Sequence, residues 1–361
     1  MLSEILDAHR NSFNLVRLVA AISVIISHAY VIRVGPGAPE PLSAITPFTL
    51  GQHAVNAFFF LSGLTLSLSL ARNPNLVQFA AARFLRVIPG LFVCGAFFAF
   101  VLGPTMTNWE LRHYFADAHT WIYPFAVVVN FAQAEPPHGV FSSAPFSGIP
   151  NDPLWTLKYE LAAYAGLALL QLCGLLRSWM ALVAMLLITG SIYVLTTSTA
   201  GGPLASAWPL HMSRFGFCFI LGALAFRFRD MIPLTPWLLS VTLAATVVMT
   251  GTRVAVLAYI ILVAHLVIIV GSFDFGVATR AARKTDISYG TYIYGWPVQQ
   301  SITVLFPTIS AELMILCALM IVLPVAIVSW IFVEKPALGL KRGLKVLRLR
   351  KEANLIARHE E

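Results

Sequence analysis

Apolar runs of bilayer-crossing length follow one another along almost the whole of this chain, leaving no stretch long enough to fold as a separate soluble domain. The hydrocarbon core of a membrane requires about 20 consecutive apolar residues from a helix. Ten segments come near that length: 14–33, 51–71, 84–103, 154–176, 179–197, 210–227, 232–250, 252–271, 287–306 and 309–333. A further run, Trp121 to Phe131, is too short to span and is expected at the interface or as a re-entrant piece. Only 11% of the residues are Asp, Glu, Lys or Arg, against about 25% in a soluble domain. The fold class expected is all-α, a polytopic membrane helical bundle of about ten transmembrane helices. It makes one integral-membrane domain over residues 1–340. Residues 341–361 form a basic tail, expected as an amphipathic helix resting on anionic headgroups.

A net charge of +8 would suit nucleic acid if it lay on one face, but it does not. The cations collect at Arg10, Arg72, Arg83, Arg177, Arg227, Arg229, Arg280, Arg283, Lys284 and the tail from Lys335. The alternate connections hold only Arg33, Arg112 and Arg253. Under the positive-inside rule this places the N-terminus in the cytoplasm, and an even number of spans returns the C-terminus there. The first apolar run follows a polar start and has no cleavable signal pattern, so it is expected to stay as a span. A multi-pass membrane protein is expected, with lipids as neighbours and no nucleic-acid partner. Cys94, Cys173, Cys218 and Cys317 all fall in apolar spans with no disulfide or metal-ligand spacing. They read as small core residues.

Polar residues inside such spans are costly, about 3 kcal/mol for an arginine near the centre of a membrane helix. Arg17 and His28 lie in the first span, eleven positions apart. At about 100° per residue they fall roughly 20° from superposition, about 16 Å apart along the axis. One helix face therefore carries a fixed cation and a titratable imidazole at two depths. Arg17 can also be read as a cation snorkelling to the headgroups. Glu160, in the fourth span, is expected at a depth close to that of His28, where a carboxylate would fix the imidazole tautomer; the plainer alternative pairs it with Lys158 or Arg214. Arg83 and Arg86 share a face at the start of the third span. They suit a phosphate, or simply anchor the span.

Ser62 and Gly63 permit close helix approach. In span nine, Tyr289, Tyr292 and Trp296 form a stripe that reads first as core. Glu334-Lys335-Pro336 reads as a helix stop. The segment 104–153, rich in proline and glycine towards its end, is irregular and either covers a cavity or merely connects spans.

These elements, in this order, resemble the membrane-bound acyltransferase-3 family, typified by bacterial O-antigen acetylases and rhizobial Nod-factor acetylases. The family's arginine, ten residues, then histidine is matched by Arg17 and His28. Its Phe-Phe-x-x-Ser-Gly element is matched by Phe58 to Gly63, and its Arg-x-x-Arg with a nearby proline by Arg83, Arg86 and Pro89. Its Trp-Ser-Leu-x-x-Glu element is matched by Trp155 to Glu160, with Thr156 in place of serine. Its closing Glu-x-Pro is matched by Glu334 to Pro336. Gly295 stands where a histidine is common in the family. The resemblance implies an O-acetyltransferase that uses acetyl-CoA, or another acyl-CoA, as donor substrate, with no bound cofactor or metal. The acceptor would be a hydroxyl of a glycan or lipid-linked carbohydrate. His28 would be the general base, aided by Glu160, and Arg17, Arg83 and Arg86 would hold the CoA phosphates. Ser62, Trp155, Thr156, Arg214, Tyr292 and Trp296 are candidate lining of the acceptor site or cavity. A transporter or flippase for a lipid-linked sugar is the rival reading, since intramembrane Arg, His and Glu also mark carrier paths. No inverted repeat is visible to favour it.

Overall fold

A computed structural model describes residues 1–7, 11–35, 38–198 and 207–340 of the chain. It is a helical bundle with no extended strand among those residues; a single bridge joins Thr107 and Val140. The tail 341–361 lies outside the described residues. In chain order the helices are α1 (Leu2–Asp7), α2 (Phe13–Val34), α3 (Leu50–Arg72), α4 (Leu76–Phe97), α5 (Gly103–Met106), α6 (Leu111–Ala116), α7 (Ala118–Asn130) and α8 (Leu157–Leu172). They continue as α9 (Trp179–Ser198), α10 (Ala207–Arg227), α11 (Trp237–Met249), α12 (Ala255–Ser272), α13 (Val277–Lys284), α14 (Ser288–Leu305) and α15 (Ala311–Ser329).

Each of the ten expected spans falls on a helix. Seven of these helices are both long and apolar enough to cross a bilayer. The other three are α8, with 16 residues, α11, with 13, and α14, which has 18 but is interrupted by hydroxyl and amide side chains. The short apolar run becomes α7, which packs along α4 with Gly95 against the Pro124 backbone.

The bundle is centred on α2, α3 and α14. α2 packs on α3 and α14, α14 on α15, and α3 on α10. The α3–α10 crossing is very close. A methyl group at Gly63 would collide with the Phe219 carbonyl, and one at Gly222 with the Phe60 carbonyl. Of the two small residues expected to admit a neighbour, Gly63 does so, while Ser62 lines a cavity. Gly63→Ala is expected to lower stability by about 1–3 kcal/mol, because the backbones must part to admit the added carbon. Thermal unfolding in detergent micelles reads this directly.

Two features alter the spans from expectation. A 3₁₀ turn, Asp152–Thr156, precedes α8. At about 2.0 Å rise per residue, against about 1.5 Å in an α-helix, it carries the first turn of α8 deeper into the bundle. At the other end, the helix does not stop at Glu334-Lys335-Pro336. A π-helical segment, Trp330–Glu334, widens it, and helix continues to residue 340. The wider turn accommodates Pro336, which has no N–H to give.

Candidate functional site

Among the described residues, two of the cavities in the bundle are lined by the same four elements: α2, α3, the 3₁₀ turn running into α8, and α14. One opens towards the face where α2 begins, here the amino-terminal face. The other lies towards the opposite face.

The first cavity, about 780 Å³ of empty space including its mouth, is lined by Arg17, Arg83, Arg86, Ser62, Glu160, Tyr164 and Ser288, among others. The three arginines differ in their partners. Arg86 pairs with Asp286 at 2.8 Å and with Glu334 at 3.3 Å. Burial opposes the Asp286 charge, but the guanidinium groups of Arg86 and Arg17 outweigh it and hold that carboxyl below its usual range. Arg86 thus ties α4 to the start of α14 and to the π segment of the last span. Among the described residues, Arg17 instead donates only to the Thr65 hydroxyl, at 3.0 Å. Arg83 stands over the Tyr164 ring, and its buried Nε has no hydrogen-bond partner. The cavity therefore offers two guanidinium groups with donors to spare and a third already neutralised. Arg86→Ala is expected to destabilise the protein by about 3–5 kcal/mol, because it strands two carboxylates that are only 14% and 1% exposed. Loss of folded protein on gel filtration or in a thermal scan measures it.

The second cavity, about 850 Å³ of empty space, is lined by His28, Glu40, Asp152, Trp155, Arg214, Phe146 and Trp296, among others. His28 stands edge-on to Trp296, ring centroids 5.0 Å apart. No described residue hydrogen-bonds its ring nitrogens. Arg214 is buried and anchored by Asn56 Oδ1 at 2.8 Å and the Gln52 carbonyl at 2.9 Å, with Phe48 against its plane. It thus presents positive charge to the cavity with no described carboxylate paired to it. Glu40 accepts a hydrogen bond from Ser27. Burial raises the Glu40 carboxyl above its usual range, against the hydrogen bonds from Ser27 and Thr49 that lower it, and burial raises Asp152 as well.

The cavities meet at Val55, Thr156 and Tyr292, which line both. The Tyr292 and Thr156 hydroxyls lie 2.8 Å apart, and both are within hydrogen-bond reach of the Pro153 carbonyl, at 2.9 and 3.1 Å. The aromatic stripe of α14 runs along this path. Tyr289 borders the arginine cavity, Tyr292 the junction and Trp296 the histidine cavity. Residues that read first as core therefore also form a wall.

The expected His28–Glu160 couple is not formed. Glu160 lines the arginine cavity and accepts a hydrogen bond from Tyr164, one turn further along α8. The 3₁₀ turn contributes to this: its five residues, Asp152–Thr156, rise about 2.5 Å further than an α-helix would and set Glu160 deeper. Nor does Glu160 pair with Lys158, which stands over the Tyr159 ring, or with Arg214. The carboxylates that share the cavity of His28 are Glu40 and Asp152, and sequence reasoning singled out neither. Asp152 had a visible signal, since it stands three residues before the Trp155–Glu160 element. Glu40 had none, because a proline-flanked loop glutamate looks solvated. Gly295 packs against α2, and a Cβ there would lie 2.9 Å from Ile25 Cγ1, so a histidine at this position would require the Ile25 side chain to move.

A family model described as an acyltransferase domain matches residues 10–333. Among curated proteins the chain is similar to an O-acetyl transferase of Shigella phage Sf6, 28% identical over 302 residues, covering 80% of this chain and 85% of that protein. It is also similar to nodulation protein 10 of Rhizobium leguminosarum bv. viciae, 26% identical and covering 95% and 97%. No solved structure matches it.

Proposed function

The chain belongs to the acyltransferase-3 family and is a multi-pass membrane acyltransferase; from that premise we propose that it moves an acetyl group from acetyl-CoA to a hydroxyl of a cell-surface glycan or lipid-linked carbohydrate. The observation that carries this reading is the pair of cavities meeting at Thr156 and Tyr292. One is suited to a polyanionic donor, the other to a polyhydroxylated acceptor. The name of the phage relative supports acetyl transfer to oxygen. The distribution of Lys and Arg supports a cytoplasmic amino-terminal face, and the membrane proposed is a bacterial inner membrane.

In this mechanism Arg83 and Arg17 bind the CoA phosphates, because guanidinium groups with unused donors bind phosphate bidentately. Arg86 shapes the cavity through its carboxylate pairs. The pantetheine arm reaches inward past Ser62 and Glu160 and sets the thioester at the junction. The acceptor sugar lies against Trp155, Trp296 and Phe146, with Glu40, Asp152 and Arg214 for its hydroxyls. His28 takes the proton of the attacking hydroxyl. The acceptor oxygen bonds to the thioester carbonyl carbon, the carbon–sulfur bond breaks, and CoA leaves as the thiol after taking that proton. Thr156 and Tyr292 would turn their hydroxyls from the Pro153 carbonyl to donate to the thioester carbonyl oxygen as charge develops on it.

The test uses membranes containing the protein, radiolabelled acetyl-CoA and the cell's surface polysaccharide. Label is expected in the carbohydrate, and membranes from a deletion strain are expected to yield none. Movement of the acceptor across the membrane without label would instead identify a carrier.

A further inference from the structure

Outside both cavities, three potential metal-ligating side chains converge in the connection between α5 and the 3₁₀ turn. Asp117, His119 and His138 each bring one ligand atom, all within 4.8 Å of one another. His138 Nδ1 lies 2.6 Å from Asp117 Oδ2, and His119 Nδ1 lies 3.3 Å from Asp117 Oδ1. Ligands at about 2.0 Å from a tetrahedral zinc ion are roughly 3.3 Å apart, so only small rotations are needed to admit one.

The backbone fixes all three. Asp117 caps the start of α7 by accepting from the His119 N–H at 3.1 Å. His138 is held by the Thr107–Val140 bridge, by Thr107 Oγ1 donating to its carbonyl at 3.1 Å, and by Trp109 stacked on its ring at 5.1 Å. A fourth side chain is near enough to support a metal. The exposed Glu135 has a carboxylate oxygen 3.8 Å from His119 Nε2, the nitrogen that faces away from Asp117, so a rotation of its side chain would bring the two into hydrogen-bond contact. A carboxylate behind the far nitrogen is the usual support of a zinc-bound histidine, fixing its tautomer and raising its basicity.

The geometry points to a Zn²⁺ site formed by Asp117, His119 and His138, with Glu135 as outer support and water completing the shell. Two nitrogen donors and one carboxylate suit zinc better than calcium or magnesium, which take oxygen ligands. The ion would cross-link the start of α7 to residue 138. That braces the connection whose later residues, Phe146, Ile149 and Asp152, border the cavity of His28.

The experiment takes the full-length protein in detergent micelles, purified through a tag without histidine and stripped with a chelator. ZnCl₂ is titrated against it by calorimetry and by competition with a chromophoric zinc indicator. One zinc per chain is expected, undisturbed by excess Mg²⁺ or Ca²⁺. The His119→Ala/His138→Ala double variant is expected to lose that binding while eluting and melting as the metal-free parent does; both rings are 46% exposed, so folding does not depend on them. Glu135→Gln is expected to weaken it by about 10–100-fold. Zinc should also slow proteolysis between residues 131 and 140 in the parent and not in the double variant. Absence of stoichiometric binding, or binding that survives in the double variant, overturns the site.

Discussion

Replacing His28 with alanine is expected to lower acetyl transfer by about 10²–10⁴-fold, the usual contribution of a general base, while the protein stays inserted and folded. The ring bonds to no described residue and is steadied by one edge-on contact with Trp296. Its removal enlarges a cavity that already exists and exposes no new unpaired group, so the loss should lie in turnover and not in stability. The measurement is the initial rate of label transfer alongside the thermal midpoint of the same preparation. Normal acetylation by the variant would remove His28 from the mechanism. A collapsed midpoint would mean that the ring is structural.

The second large effect concerns the arginines, which the structure separates into two kinds. Arg83→Ala and Arg17→Ala should each raise the KM for acetyl-CoA by roughly 10–100-fold, since a charge-assisted hydrogen bond contributes about 1.5–3 kcal/mol. Both variants should keep a thermal midpoint close to the parent's. Neither side chain neutralises a buried carboxylate by direct contact, in contrast to Arg86. Arg83→Lys should recover part of the loss, because the charge remains while the planar fork is gone. A KM unchanged in both alanine variants would exclude them from donor binding, whatever happened to kcat.

Much of the fold and of the site is legible in the sequence, and the reason is physical. A bilayer penalises charge so heavily that Arg17, His28, Arg83 and Glu160 stand out from their surroundings, and helical geometry alone puts Arg17 and His28 on one face. Both do line the path, one at each end. The features that stay hidden depend on local winding and on partners distant in sequence. The partner of Glu160 differs from expectation because Tyr164, one turn along the same helix, takes up the carboxylate, and a 3₁₀ turn that nothing in residues 152–156 announces sets it deeper. The role of Glu334 is concealed because a π segment turns an apparent helix stop into a buried ion pair 248 residues from its partner. Arg83 and Arg86 look alike in sequence; only the tertiary contacts reveal that one is available and the other engaged.

The pair of hydroxyls between the two chambers has an electrical consequence. Water reaching both sides would concentrate the membrane voltage across that thin partition, where each elementary charge feels about 2.3 kcal/mol per 100 mV. An enzyme built this way must let a two-carbon fragment through while refusing ions. If the chain sits in an energised membrane as proposed, widening the partition at Tyr292 is expected to leak ions as well as to alter the chemistry.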